Sequence, residues 1–190
     1  MATRFTPGRM AMSLPWVIRL GWKMWSKRWP ATTDASQNAA MHRTWFFFYG
    51  TLSEDHDNPV NHAMLPLMEG SWRATVRGAL RAVRGTDGWY PVLCAGRGRV
   101  AGRLYRSGPR FSARHLRSLD AYETYNPRNR GRSEYVRRAI RVRVPGRGWV
   151  MAQAYLHNRP CHPGLTVIAR GDFTAWQRQR GLRAFGCGEN

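Results

Sequence analysis

The chain has 190 residues, of which 31 are Lys or Arg and 11 are Asp or Glu, so its formal net charge is +20. This length fits one domain with appendages, and no apolar run in it is long enough to cross a bilayer as a helix. Such a charge is unusual for an enzyme that acts on small molecules. It indicates a polyanionic partner, either nucleic acid, an anionic membrane or an acidic protein, unless it reflects only an arginine-rich solvated surface.

The first 40 residues differ in composition from the rest, because no acidic residue precedes Asp34. Apolar and basic side chains fall on two separate stripes at helical spacing, which predicts a basic amphipathic helix that begins near Leu14. Such a helix can be a mitochondrial transit peptide, an anchor at a membrane surface or an arm that docks on a protein, and a disordered tail is the remaining alternative. We expect a mitochondrial location from the leader-like composition, with a cytoplasmic one as the alternative.

Five consecutive aromatic residues, 45–49, run directly into Gly50, Thr51 and Leu52. A continuous apolar run that ends at Gly predicts a strand buried on both faces, with a buried helix as the alternative. Gly50 allows the backbone to turn sharply and to approach a ligand closely. The N–H groups of these three residues can then bind an anion such as a carboxylate, although the local pattern alone is more typical of an ordinary turn after a core strand.

The middle of the chain alternates between polar loops and strand patterns. The acids and His56 of segment 53–59 match no spacing of metal ligands, so we expect a solvated loop there. The elements that follow are a helical turn within 60–68, a half-exposed strand over 76–83, and two strands over 90–95 and 99–106 joined by a turn at 96–98.

A helix is predicted from the cap residue Ser112 to about Tyr122. On this helix Leu116, Leu119 and Glu123 share one face, which places a carboxylate where the apolar stripe meets the core. Burying a carboxylate in such a position costs free energy, so the group is expected either to be paired with a partner or to have a function. The alternative is a glutamate at the helix end that points into water.

The clearest strand pattern covers 134–144, followed by a hairpin partner over 149–156. Arg137, Arg141 and Arg143 alternate along one face of the first strand. These arginines can contact the phosphates of RNA or simply form a solvated face. A last helix follows, from Asp172 to Arg180.

The three cysteines, Cys94, Cys161 and Cys187, are few, odd in number and far apart, which is typical of free thiols in a reducing compartment. Sequential strands with one long helix between them predict an α+β fold rather than a doubly wound sheet. We expect an N-terminal arm over 1–40, a domain over 41–160, and a C-terminal helix and tail over 161–190.

Several short motifs between Trp45 and Asn158 occur in an order and spacing that resemble the γ-glutamylcyclotransferase-like family, also called AIG2-like. The signature is Tyr49-Gly50-Thr51-Leu52. The later motifs are Asn61-His62, Trp89–Leu93, Val100–Tyr105, Leu119–Glu123, Tyr135–Arg137 and Ala154-Tyr155. The resemblance implies a small mixed β-barrel with packed helices and a cavity at one side.

The resemblance also implies a reaction, in which the α-amine of a γ-glutamyl compound attacks its own γ-carbonyl and releases 5-oxoproline and a free amine. Glu123 matches the catalytic position and would transfer the protons, with no cofactor and no metal. The implied substrate-binding residues are Tyr49, Gly50, Thr51, Leu52 and Tyr135.

Two residues depart from the family pattern. Thr124 stands where many members have Gly, and Arg103 replaces a usual Glu. We expect the first change to leave the chemistry possible and the second to alter only the surface charge.

This reaction does not explain the charge of the chain. The rival hypothesis is a structural subunit of a ribonucleoprotein, such as a mitochondrial ribosome, in which Arg137, Arg141 and Arg143 contact the RNA backbone. Docking at a membrane surface or on a protein through the N-terminal helix is a third possibility.

Overall fold

The computed structural model describes residues 43–187. The amphipathic helix expected near the N-terminus and the linker after it lie outside the described residues. None of the helices within this range is long and apolar enough to span a membrane.

Five strands close into a barrel in the order β3-β1-β5-β4-β2, and β2 pairs back onto β3. The β1–β5 pairing is parallel and brings Phe46 opposite Gln153, whereas the other pairings in the barrel are antiparallel. The prediction of a small mixed barrel in an α+β fold is therefore confirmed. The strands are β1 (Trp45–Phe48), β2 (Met68–Arg84), β3 (Trp89–Ser107), β4 (Tyr135–Val144) and β5 (Gly148–His157), and a short β6 (Thr166–Ile168) extends the sheet beside β2.

Three α-helices accompany the barrel within the described range. They are α1 (Pro59–Met64), α2 (Ala113–Tyr122) and α3 (Phe173–Gln179), with 3₁₀ turns at Leu65–Leu67 and Arg130–Arg132. Each α-helix begins at a polar cap. The side chains of Asn58 and Asp172 accept backbone N–H bonds at the starts of α1 and α3, and Ser112 forms a capping box with His115. The predicted helices at 112–122 and after Asp172 are thus present.

Strand β1 lies between two parts of the hydrophobic core, as its uninterrupted aromatic sequence predicts. Phe47 belongs to the core cluster that also contains Val76, Val100 and Val142 of the barrel strands. Phe46 and Phe48 belong to a second cluster, which includes Phe111 and Leu119 from the α2 region. Because neighbouring side chains of a strand point to opposite faces, both faces of β1 are buried.

Strand β3 is continuous through the segment where we expected a turn. Its partner β2 pairs with it on both sides of residues 96–98, at Ala79↔Cys94 and at Arg77↔Arg99, with a register shift between these pairs. The Gly-rich segment is therefore a bulge opposite β2 and not a turn. Long-range pairing with β2 outweighs the local turn preference of its glycines.

The prediction of free thiols is wrong for two of the three cysteines. Cys94 of β3 and Cys161, which follows β5, form a disulfide with their Cα atoms 6.0 Å apart, while Cys187 is free. These residues are 67 positions apart in the chain, so only the folded barrel brings them together.

Candidate active site

A cavity of about 80 Å³ lies beside the turn that follows β1. One water needs roughly 10–15 Å³ of such space, so the cavity has room for a small polar group of a ligand. It is lined by all six residues that the sequence indicated as catalytic or substrate-binding: Tyr49, Gly50, Thr51, Leu52, Glu123 and Tyr135.

Close packing against β3 explains why the turn contains a glycine. A Cβ atom on Gly50 would lie 2.5 Å from Cγ and 2.9 Å from Cδ of the Pro91 ring, too close for any side chain. The turn is closed by the N–H of Ser53, which donates to the carbonyl of Gly50 at 3.2 Å. Within the described residues, the N–H groups of Gly50, Thr51 and Leu52 donate no hydrogen bond, so they remain available to an anion.

Two buried asparagines hold this turn from behind. The side-chain Nδ2 of Asn61 lies 2.8 Å from each of the carbonyl oxygens of Thr51, Ser53 and His56, which share its two N–H donors. The amide of Asn58 also donates to Thr51, and Asn58 and Asn61 are only 1% and 2% exposed. The backbone that faces the cavity is therefore fixed before any ligand binds.

The expectation of a solvated loop over 53–59 holds for Glu54, Asp57 and Pro59, which are exposed. It is wrong for His56, which is only 7% exposed and lies 3.1 Å from the Thr174 hydroxyl. Burial lowers the pKa of His56 to about 4, so the ring is neutral at physiological pH. The loop is part of the folded wall behind the site.

Glu123 is the C-terminal cap residue of α2, and its side chain lines the cavity. Its carboxyl group makes no hydrogen bond or ion pair with any residue in the described part of the chain, and only its backbone N–H is engaged, with the carbonyl of Leu119. Burial raises the pKa of its carboxyl to about 8, and the nearby charges of Glu134 and Asp120 add to this effect. A carboxyl with this pKa exchanges protons near neutral pH, as a general acid and base requires.

A second carboxyl, that of Glu134, also lines the cavity. It lies beside the Tyr90 hydroxyl, and burial raises its pKa above the ordinary value. The sequence did not single out Glu134, because it stands between an Arg/Asn-rich loop and β4 and matches none of the motifs. The only local signal was an acid next to the Tyr135 motif.

Tyrosine side chains form much of the cavity wall, and their hydroxyls are already engaged. Tyr49 donates to the carbonyl of Tyr155 at 2.6 Å, and Tyr135 donates to the carbonyl of Pro91 at 2.9 Å. Tyr155 donates to Asp120 at 2.7 Å. Burial raises the pKa of all three phenols, so they stay protonated and serve as a rigid wall.

Arg137 does not share the environment of the other two arginines proposed for RNA contact. Its Nε donates to Asp120 Oδ1 at 2.8 Å, which links it through Asp120 to Tyr155 in the cavity wall. Arg141 and Arg143 are exposed on the outside of β4. The structure thus places Arg137 behind the cavity and separates it from the exposed arginines.

The two departures from the family motifs have different structural roles. Thr124 has φ +50°, the left-handed conformation in which Gly is usual after a helix, and its hydroxyl is buried without a partner among the described residues. Arg103 is more than a change of surface charge, because its guanidinium pairs with Glu54 at 2.9 Å and with Asp55 at 3.5 Å. It therefore ties the loop after the signature to β3.

Residues 46–176 match the model of the gamma-glutamyl cyclotransferase, AIG2-like family. This match spans more than half of the chain, and the chain therefore belongs to this family. No curated protein matches the chain.

Solved structures with the same fold share little sequence with this chain. An AIG2-like protein from Mus musculus has 22% identity and a TM-score of 0.55, over 78% of this chain and 99% of the mouse chain. YkqA from Bacillus subtilis has 20% identity and a TM-score of 0.53, over 73% of this chain but only 42% of its own length. A protein from Arabidopsis thaliana has 19% identity and a TM-score of 0.52, over 80% and 79% of the two chains. At these identities the likeness establishes the fold.

Proposed function

We propose that this chain cleaves a γ-glutamyl amide by intramolecular cyclisation, with release of 5-oxoproline and a free amine. The observation that carries the proposal is the unpaired Glu123 carboxyl, with its pKa of about 8, in a cavity that is also lined by Gly50, Thr51 and Leu52, whose N–H groups make no other hydrogen bond among the described residues. One group exchanges protons and the other binds a carboxylate, and this reaction needs little more from a protein.

The N–H groups of 50–52 supply orientation. They bind the α-carboxylate of the glutamyl unit, which leaves the α-amine and the γ-carbonyl of the same unit to fold towards each other. Because both reacting groups belong to one molecule, holding the chain in the cyclic conformation lowers the entropic part of the barrier. The bulky walls formed by Tyr49, Tyr135 and Tyr155 favour this bent conformation over an extended one.

Glu123 supplies the proton transfers. Its carboxylate takes a proton from the α-ammonium, and the neutral nitrogen attacks the γ-carbonyl carbon to close a five-membered ring. The γ-amide C–N bond then breaks, and the Glu123 carboxyl returns the proton to the departing nitrogen. The carboxylate formed in this way takes the second proton of the ring nitrogen, which leaves a neutral lactam, and this proton passes to the released amine. The raised pKa makes the first transfer less unfavourable, because it brings the carboxyl closer in basicity to an amine. No water is consumed.

The test is to incubate the full chain with a panel of γ-glutamyl amides in H₂¹⁸O and to analyse the products by mass spectrometry. Cyclisation releases 5-oxoproline without ¹⁸O, whereas hydrolysis releases glutamate that carries one ¹⁸O atom. Labelled glutamate as the first product would replace the proposal by a hydrolase. No product from any member of the panel, together with no binding of glutamyl compounds, would overturn it.

The second carboxyl gives a prediction on pH dependence. Because the charge of Glu134 raises the pKa of Glu123, Glu134→Gln is expected to lower that pKa. The rising limb of kcat/KM against pH, which reports ionisation of Glu123 in the free enzyme, should then move to lower pH. A Glu134→Gln enzyme with an unchanged or upward-shifted limb would contradict the electrostatic coupling, and Asp87→Asn, an exposed acid outside the cavity, is the control.

A further inference from the structure

The outside of the barrel carries a group of exposed basic and apolar side chains on β2, β3, β4 and β5. Core residues such as Val76, Val100 and Val142 fill the inner positions of these strands, so their immediate neighbours point outwards. None of these outward residues lines the cavity of the candidate active site. We call this group the arginine face: Arg73, Arg77, Arg99, Arg141, Arg143, Trp149 and Met151, all exposed.

Strand register makes the arginine face continuous. Arg143 lies opposite Trp149 on β5 and opposite Thr75 on β2, and Arg141 lies opposite Met151. Arg77 lies directly opposite Arg99, where β2 pairs with β3. The side chains therefore form one patch across four neighbouring strands.

The positive charge of this patch is not neutralised within the described part of the chain. None of its five arginines forms an ion pair with a carboxylate there, whereas Arg103 at its border pairs with Glu54 and Asp55. Like charges directly opposite each other, as in Arg77 and Arg99, destabilise a sheet. An anionic ligand would remove this repulsion.

Trp149 adds an aromatic surface to the patch. The indole is 53% exposed, and the guanidinium carbons of Arg141 and Arg143 lie 4.9 Å and 5.7 Å from its ring centroid. Met151 beside it is 55% exposed. Arginines for phosphates combined with an aromatic ring for unpaired bases are the features that bind single strands without sequence preference.

We propose that the arginine face binds a single-stranded nucleic acid. Phosphates contact the guanidinium groups along β2 and β4, and a base stacks on the exposed indole of Trp149. A bilayer fits this face less well, because Trp149 and Met151 are the only large apolar side chains that it exposes among the described residues, against five arginines. The proposal is independent of the cavity chemistry.

The test measures binding of the full chain to a fluorescently labelled oligouridylate of about 20 nucleotides as a function of salt. Affinity should fall linearly on a log–log plot, with a slope of about −0.7 per phosphate contacted. A triple variant should bind roughly tenfold or more weakly, and its slope should be shallower by up to about 2. It carries Arg77→Gln, Arg141→Gln and Arg143→Gln. Trp149→Ala should weaken binding of the single strand with little change in slope.

A matched control separates this face from the general charge of the chain. The variant Arg128→Gln, Arg130→Gln, Arg132→Gln removes the same charge from an exposed segment before the start of β4 and should retain nearly all affinity. Equal weakening by both triple variants, no binding at low salt, or tighter binding to vesicles of anionic lipid through the same arginines would each overturn the proposal. Ultraviolet crosslinking of the wild-type chain to the oligonucleotide is the second readout, because crosslinked peptides that exclude β4 and β5 would contradict the assignment even if a variant failed to fold.

Discussion

Replacement of Glu123 by Gln is expected to lower the rate of 5-oxoproline release by roughly a hundredfold or more. The amide keeps the shape of the side chain but can neither accept the proton of the α-ammonium nor return it to the leaving nitrogen. No other carboxyl among the described residues combines a position in the cavity with the lack of any partner, since Glu134 lies beside Tyr90. The measurement is kcat for the best γ-glutamyl substrate.

Loss of stability would not account for this loss of activity. The folded-state pKa of Glu123 is raised, so its contribution to stability is fully present below the ordinary pKa of 4.5 and is lost as pH rises through about 8. Glu123→Gln cannot ionise at this position, so its stability does not fall over this pH range. We expect the variant to melt at a higher temperature than the wild type at pH 9. Equal turnover by the variant and the wild type would show that Glu123 is not the proton-transfer group.

Gly50→Ala is expected to reduce kcat/KM by roughly a hundredfold, because a shift of about 1 Å in a positioning group can cost that much. The new methyl group would meet the Pro91 ring at 2.5 Å, and a ring cannot rotate away as a flexible side chain can. The turn must therefore move, and the N–H groups of 50–52 move with it. The anion site is altered while Glu123 stays in place.

Gly131→Ala is the matched control, since no atom beyond its two chain neighbours lies within 4 Å of a Cβ at that position. It should leave activity and melting temperature nearly unchanged. Circular dichroism should confirm that the Gly50→Ala barrel is folded. Full turnover by a folded Gly50→Ala protein would mean that this turn does not bind the substrate.

The sequence predicted those parts of the molecule that depend on local patterns. An uninterrupted aromatic run before Gly50 identified β1, and the helical spacing of Leu116, Leu119 and Glu123 placed the carboxyl on the inner side of α2. Alternation of Val142 and Val144 with arginines gave the faces of β4 correctly. In each of these cases, neighbouring residues alone decide which side is buried.

Features that depend on distant partners were not predictable. Asn58 caps α1 and Asn61 lies within it, and both are buried with their amides bonded to the backbone carbonyl of Thr51, which no local pattern indicates. The bulge at 96–98 exists because β2 continues on both sides of it, and Cys94 meets Cys161 only in the closed barrel. Arg137 follows the same alternating pattern as Arg141, and only its contact with Asp120 in the folded chain distinguishes the two.

The parallel contact between β1 and β5 determines when the active site can form. It pairs Phe46 of β1 with Gln153 of β5, so the barrel cannot close before its last strand has been added. Contacts between residues so far apart in the chain form late and slow the folding reaction. During synthesis, Gly50 and Glu123 both leave the ribosome before β5, yet the wall contributed by Tyr155 is missing until the chain has grown beyond it. A growing chain that stops short of β5 is therefore exposed as an open sheet with unpaired edges, the form of a β protein most prone to aggregation.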